Sequence, residues 1–214
     1  MITDACVFAN QDQAATVRRL LLTGKSCGLS RMVICGTAPD VPDSYAGVEV
    51  LRGRVVGKQN GKTFLDTMKK IPKGVVVMVY VGENSFNRTA ITTKGVHLLT
   101  GIADLPKGGF DHIVAKMAAD HTTGVVIDLS RIIDAKGRRT ALLRYAEILL
   151  LHRKFRFPLV IASGADTIFG IRNVEETLAL CSLFGMTRAE TYAALNGLDA
   201  VLSPPRPVRI VEDA

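Results

Sequence analysis

The chain has 214 residues, 48% of them hydrophobic, with 27 Lys and Arg against 20 Asp and Glu and a formal net charge of +7. That length supports a real core and fits one domain, while the longest apolar runs, such as Val75 to Val81, fall far short of the roughly 20 residues of a membrane helix. Met1-Ile-Thr-Asp4 does not read as a signal peptide and the four cysteines form no CxxC pair, so a soluble, cytosolic protein without membrane contact, zinc or disulfides is expected.

In chain order, the pattern predicts a strand over 2–8, an amphipathic helix over 12–22, a strand over 30–35, a Pro- and Asp-rich loop over 36–44 and a strand over 48–56. A helix over 62–71 ends against Pro72, and the next run, Gly74-Val-Val-Val-Met-Val-Tyr-Val81, is apolar throughout, as in a strand covered on both faces. A short helix over 84–92, a strand over 96–99, a flexible connection over 105–109 and a helix over 110–121 follow. Then come a strand over 124–130, a basic loop over 131–139, a long helix from 140 to about 155 and a strand over 157–165. Two apolar runs separated by a helix form a parallel βαβ unit with a right-handed crossover. Helices over 174–185 and 187–195 come next, Gly185 suiting the left-handed residue that closes the first and Thr187 with Glu190 the capping box of the second. A last strand is expected over 199–202. Strands alternating with helices through short loops predict an α/β fold: a single-domain, irregular (β/α) barrel of the TIM-like type over 1–203, followed by a flexible tail over 204–214.

Two kinds of chemistry fit poorly. Thr23-Gly-Lys-Ser26 has the end of a phosphate-binding P-loop, but the Gly required five residues earlier is Arg19 and the segment follows a helix, so the cradle of backbone amides is not built. Metal-assisted phosphoester hydrolysis needs clustered His and Asp at strand ends. The chain has His97, His112, His121 and His152 without an HxH pair, and its first strand reads Asp4-Ala-Cys-Val-Phe8. Such a centre would rest on Asp4, Asp128 and His112 alone. Asp111 beside His112 suits a helix N-cap, with His112 either hydrogen-bonding nearby or contacting a phosphate or base. Asp128, one strand-end carboxylate, suits a support for the basic loop better than a catalytic base.

The positive signal is charge concentration. Residues 131–156 hold eight cations against two anions, a net +6, so the remainder is nearly neutral. Lys136-Gly137-Arg138-Arg139 lies where a strand gives way to a helix, so that helix-terminal amides and guanidinium groups converge on the same phosphates. An ordinary solvated helix, with Arg144 and Glu147 paired at i,i+3, would scatter charges of both signs instead. Without Trp, and with Tyr145 and Phe155 read as buried, backbone and shape recognition of a folded RNA is expected rather than stacking on bases.

Phe110-Asp-His-Ile-Val-Ala-Lys-Met-Ala-Ala119, Val125-Val-Ile-Asp-Leu-Ser130 with its basic loop, Pro158-Leu-Val-Ile-Ala-Ser-Gly-Ala165, Ile171-Arg172 and Leu178-Ala-Leu-Cys-Ser-Leu-Phe-Gly-Met186 resemble, in order and spacing, the archaeal ribonuclease P protein component 3 family, the thirty-kilodalton subunit. The resemblance covers 100–202 well and the N-terminal half more loosely. It implies a barrel related to the PHP-type metal-dependent phosphoesterases but lacking their ligand cluster. It further implies a non-catalytic subunit of the ribonucleoprotein endonuclease that removes the 5′ leader from precursor tRNA, with the catalytic magnesium in the RNA and no cofactor on this chain. The partners implied are the ribonuclease P RNA, protein component 2 and other protein subunits, with precursor tRNA reached indirectly. By position, His112, Lys154 and Arg172 fall on basic family positions facing RNA, and Arg138 and Arg139 in the family's basic loop; Lys136 and Arg153, from the same charged window, complete the expected RNA-binding set. The family's Pro two residues after Arg172 is Val174 here. The competing reading is a degenerate metal-dependent phosphoesterase.

Overall fold

β-branched and apolar runs form the strands of a barrel in the computed structural model, which describes residues 1–9, 14–37, 41–59 and 61–203. The elements are β1 (Thr3–Ala9), α1 (Ala14–Ser26), β2 (Arg31–Gly36), β3 (Ser44–Tyr45), β4 (Val48–Val56), α2 (Gly61–Lys69), β5 (Val76–Tyr80), α3 (Asn84–Thr92), β6 (Leu98–Thr100), α4 (His112–Asp120), β7 (Gly124–Asp128), α5 (Ser130–Ile133), α6 (Arg138–Phe155), β8 (Leu159–Ala162), α7 (Val174–Ser182), α8 (Arg188–Leu195) and α9 (Gly197–Leu202). Strands pair in the order β1-β2-β4-β5-β6-β7-β8, all parallel, with β3 antiparallel on β4. The seam nearly closes just past β8, where Phe8 N–H donates to Ala165 O (2.7 Å) and Gly164 N–H to Cys6 O (3.1 Å). The result is the expected α/β barrel.

Period-two alternation divides the apolar residues between two layers. Cys6, Val33, Met78, Leu98, Val126 and Val160 fill the interior, while the outward face of β5 to β8 packs under α4, α6 and α8. Leu198 and Val201 of α9 close the interior where the strands begin, so the segment 199–202, expected as a strand, is a helix. Their i,i+3 spacing serves a helix as well as a short apolar strand run, and a barrel whose seam is bridged at Val7 and Ala165 leaves little room for an eighth parallel strand. Arg31, at the start of β2, holds this plug by pairing with Asp199.

Three other segments depart from expectation. The basic loop over 131–139 is mostly helical, forming α5 and the first residues of α6. The loop over 36–44 ends in β3, and among the described residues no helix crosses between β2 and β4. Thr23 to Ser26 lie in the last turn of α1, where a Cβ on Gly24 would come within 2.3 Å of Met32 Sδ; close helix packing explains that glycine. Gly185 has the expected left-handed φ of 88°, and the Thr187–Glu190 capping box is present. The tail expected over 204–214 lies outside the described residues.

Candidate nucleic-acid interface

β7 ends at Asp128, whose Oδ1 accepts from Ser130 N–H (3.0 Å) and Ser130 Oγ–H (2.6 Å), turning the chain into α5. Burial pushes this carboxyl up from its ordinary value while the two Ser130 bonds oppose the rise. A Cβ on Gly164 would fall 2.4 Å from the same oxygen, and Gly164 sits at φ +64°, so a side chain there is excluded twice. Asp128 therefore supports the basic segment. From α5, Arg131 pairs with Asp104, and Arg138 reaches back to donate from Nε to Ile132 O (2.7 Å) and from Nη2 to Ile133 O (2.8 Å). Arg138 thereby satisfies carbonyls at the end of α5 and fixes the angle at which α6 begins.

α6 begins bare. Its N-cap is Gly137, which has no side chain to accept from the first amides, and the first turn holds no acidic residue. Unsatisfied N–H groups and the positive end of the helix dipole favour an anion. Lys136 and Arg139 flank this end; both are exposed, and neither side chain has a partner among the described residues. Lys107, exposed in the Gly-rich connection before α4, joins them at the same end of the barrel; charge-window reasoning confined to 131–156 passed over it.

The other expected RNA contacts are distributed around the barrel. His112 is the exposed first residue of α4, beside α6 in the helix layer, but this helix end is already occupied: Asp111 accepts from Val114 N–H (2.7 Å) and pairs with Arg88 (3.3 Å). Because α6 runs against the strands, Arg153 and Lys154 lie at its opposite end, fifteen residues from Arg139 to Lys154 and so about 22 Å away. Arg153 is committed to structure, donating to both Glu190 carboxylate oxygens (2.7 and 2.9 Å) and to Gly185 O (2.9 Å), and it holds the Glu190 carboxyl down at about 2. Lys154 Nζ lies 5.3 Å from the centre of the Phe155 ring. Arg172 donates from Nη1 to Phe169 O (2.6 Å) and Ile171 O (3.0 Å) in a turn packed against α1. The seven residues thus do not form one patch: Lys136, Arg138, Arg139 and His112 share an end, Arg153 and Lys154 the other, and Arg172 a third place. Arg153's partner is 37 residues away in sequence, beyond the reach of local patterning.

Among the described residues the carboxylates do not assemble a metal centre. Asp4, 5% exposed, accepts at Oδ1 from Cys6 N–H (3.3 Å) and Ser163 N–H (2.9 Å), and burial lifts its carboxyl to about 6. Among the described residues no three His, Cys, Asp or Glu side chains are placed to share an ion, so the donor set does not fit metal-dependent hydrolysis.

Comparison with known proteins bears on this arrangement. The chain is 34% identical over 124 residues to ribonuclease P protein component 3 of Methanococcoides burtonii, covering 56% of this chain and 51% of that protein. It is 28% identical over 214 residues to the protein of the same name from Methanosarcina barkeri, covering 95% and 90%. In fold it is similar to a chain of the cryo-EM structure of archaeal ribonuclease P with mature tRNA (TM-score 0.70, 19% identity, 99% and 98% covered). It is also similar to Lactococcus lactis histidinol phosphate phosphatase complexed with zinc, L-histidinol and phosphate (TM-score 0.56, 10% identity, 86% and 93% covered). Both likenesses are of fold alone. The family described as RNase P subunit p30 matches residues 1–203, and this chain belongs to it.

Proposed function

We propose that this chain is a protein subunit of ribonuclease P that supports the catalytic RNA in removing the 5′ leader of precursor tRNA, and that the bare N-terminus of α6 with Lys136 and Arg139 is its principal phosphate seat. The observation that carries the site is the combination of open amides and two unpartnered cations at one point. Lys107 and His112 extend it along the same end of the barrel; Lys154 and Arg172 reach RNA elsewhere, while Arg138 and Arg153 chiefly hold the protein's own backbone and side chains. On this reading the chain supplies no nucleophile, and its described residues hold no metal ligand set. Hydrolysis belongs to the RNA and its magnesium, in the cytoplasm, with protein component 2 bound beside this subunit. Leu143 and Leu150, seven residues apart on α6 and 53% and 66% exposed, suit such a protein contact.

Binding of the RNA to the reconstituted protein set, measured against salt, tests the seat. Lys136→Ala with Arg139→Ala should lower the slope of log affinity against log salt by about 2, and an unaltered slope rejects it. Hydrolysis of a phosphoester by the purified chain with manganese, abolished by chelator, would instead establish the phosphoesterase reading.

A further inference from the structure

Where the described residues between β2 and β4 hold no helix, a groove lies on the outside of the barrel. It lies over the outer faces of these strands, alongside α2, with a volume of about 660 Å³. Its apolar part is made by Ile34, Val41, Ile71 and Val75. Its cations are Arg52 and Arg54, placed on the same outward face of β4 by their i,i+2 spacing, and Lys70 just past α2. Arg52 makes one long bond, 3.4 Å from Nη2 to Val41 O; the side chains of Arg54 and Lys70 have no partner among the described residues, and no carboxylate is among the described lining residues.

We propose that this groove seats an acidic, amphipathic helix from a protein partner, in the position that a crossover helix would take. Gln59 before α2, Thr67 within it and Lys70 to Pro72 after it all line the groove; α2 itself is nine residues and about 13 Å long, which sets the scale for a partner segment of about two helical turns. A helix laid there covers half-buried Val41, Ile71 and Val75 with an apolar stripe and brings carboxylates to Arg52 and Arg54 on one side and Lys70 on the other. A phosphate backbone would answer the cations but leave the apolar part uncovered, and no aromatic ring lines the groove for base stacking. The proposal concerns a surface separate from the end of α6 and stands whether or not RNA binds there.

Zero-length carbodiimide crosslinking of the reconstituted ribonucleoprotein, read by mass spectrometry, tests it without altering the chain. The expected product joins Lys70 Nζ to an Asp or Glu in another protein subunit, within a peptide whose apolar residues recur at three and four. A Lys70 link to this same chain or to a second copy overturns the proposal. So does protection of Lys70 by RNA without a protein link, or no link while other lysines react. In a second arm, Arg52→Glu with Arg54→Glu should keep the melting temperature of the free chain, cut the Lys70 product at least tenfold and leave the RNA salt slope unchanged. An undiminished product, or a changed slope, overturns it.

Discussion

Tyr145 and the backbone of Asp128 exchange two hydrogen bonds: the tyrosine hydroxyl donates to Asp128 O at 2.9 Å and accepts from Asp128 N–H at 3.2 Å. A side chain in the middle of α6 thus closes the end of β7, at the residue whose carboxylate directs α5. Tyr145 is 1% exposed, and burial first of all drives its phenol far above the ordinary tyrosine value, so it remains a neutral donor. Tyr145→Phe should leave both backbone groups unsatisfied and cost about 1–3 kcal/mol in urea unfolding. The RNA salt slope should not move, because no phosphate contact is removed; loss of slope without loss of stability would contradict this role.

Asp4 gives a pH signature. Its folded value of about 6 lies above the ordinary value near 3.9, so the native state holds a proton that the unfolded chain releases between those limits. Its favourable contribution is present below about 3.9 and is lost as pH rises to about 6, leaving a penalty of roughly 3 kcal/mol at neutral pH. Asp4→Asn retains an oxygen for the Cys6 and Ser163 amides. It should match the natural protein near pH 4 and exceed it in stability above pH 6, as measured by denaturant titration across pH; parallel curves would refute the assignment.

Arg138 and Arg139, adjacent in sequence, should separate by experiment. Arg138→Ala removes two donors to the carbonyls ending α5 and should cost about 1 kcal/mol of stability, with a secondary loss of RNA affinity as α6 reorients. Arg139→Ala should change stability by less than about 0.5 kcal/mol yet lower the salt slope by about 1. Thermal melts and salt titrations on the two variants decide the matter, and equal effects on both would remove the distinction.

The strands and most helices were legible because their apolar periods were long and unmixed, as in Val76–Tyr80 and His112–Asp120. The caps at Asp111 and Thr187 were legible because capping is local. What escaped was set by distant partners. Residues 199–202 became a helix because the barrel interior needed Leu198 and Val201 at its floor, and Arg153 lost its place as a free cation to Glu190. Charge counting singled out one segment but could not see that one helix carries its cations to opposite ends. Nor did it weigh Arg52 and Arg54, although period two alone puts them on one face.

The Arg153–Glu190 clamp supplies an acid-side signature of opposite sign to Asp4. Arg153 and Thr187 hold the Glu190 carboxyl at about 2, below its ordinary value near 4.3. Its stabilisation is present above about 4.3 and fades as pH falls toward 2. Glu190→Gln should therefore melt lower than the natural protein at pH 7, with the difference shrinking through that window. A difference that persists at pH 2 would assign the loss to packing rather than to charge.

α6 itself has a mechanical consequence. Eighteen continuous residues, buried along one side through Ala141, Tyr145, Ile148 and Leu149, make a strut whose ends cannot approach one another. Whatever Lys136 and Arg139 grip is kept about 22 Å from whatever lies against Lys154. An RNA held at both ends, as proposed above, would meet in this subunit a spacer that sets a distance between two of its elements as well as neutralising charge.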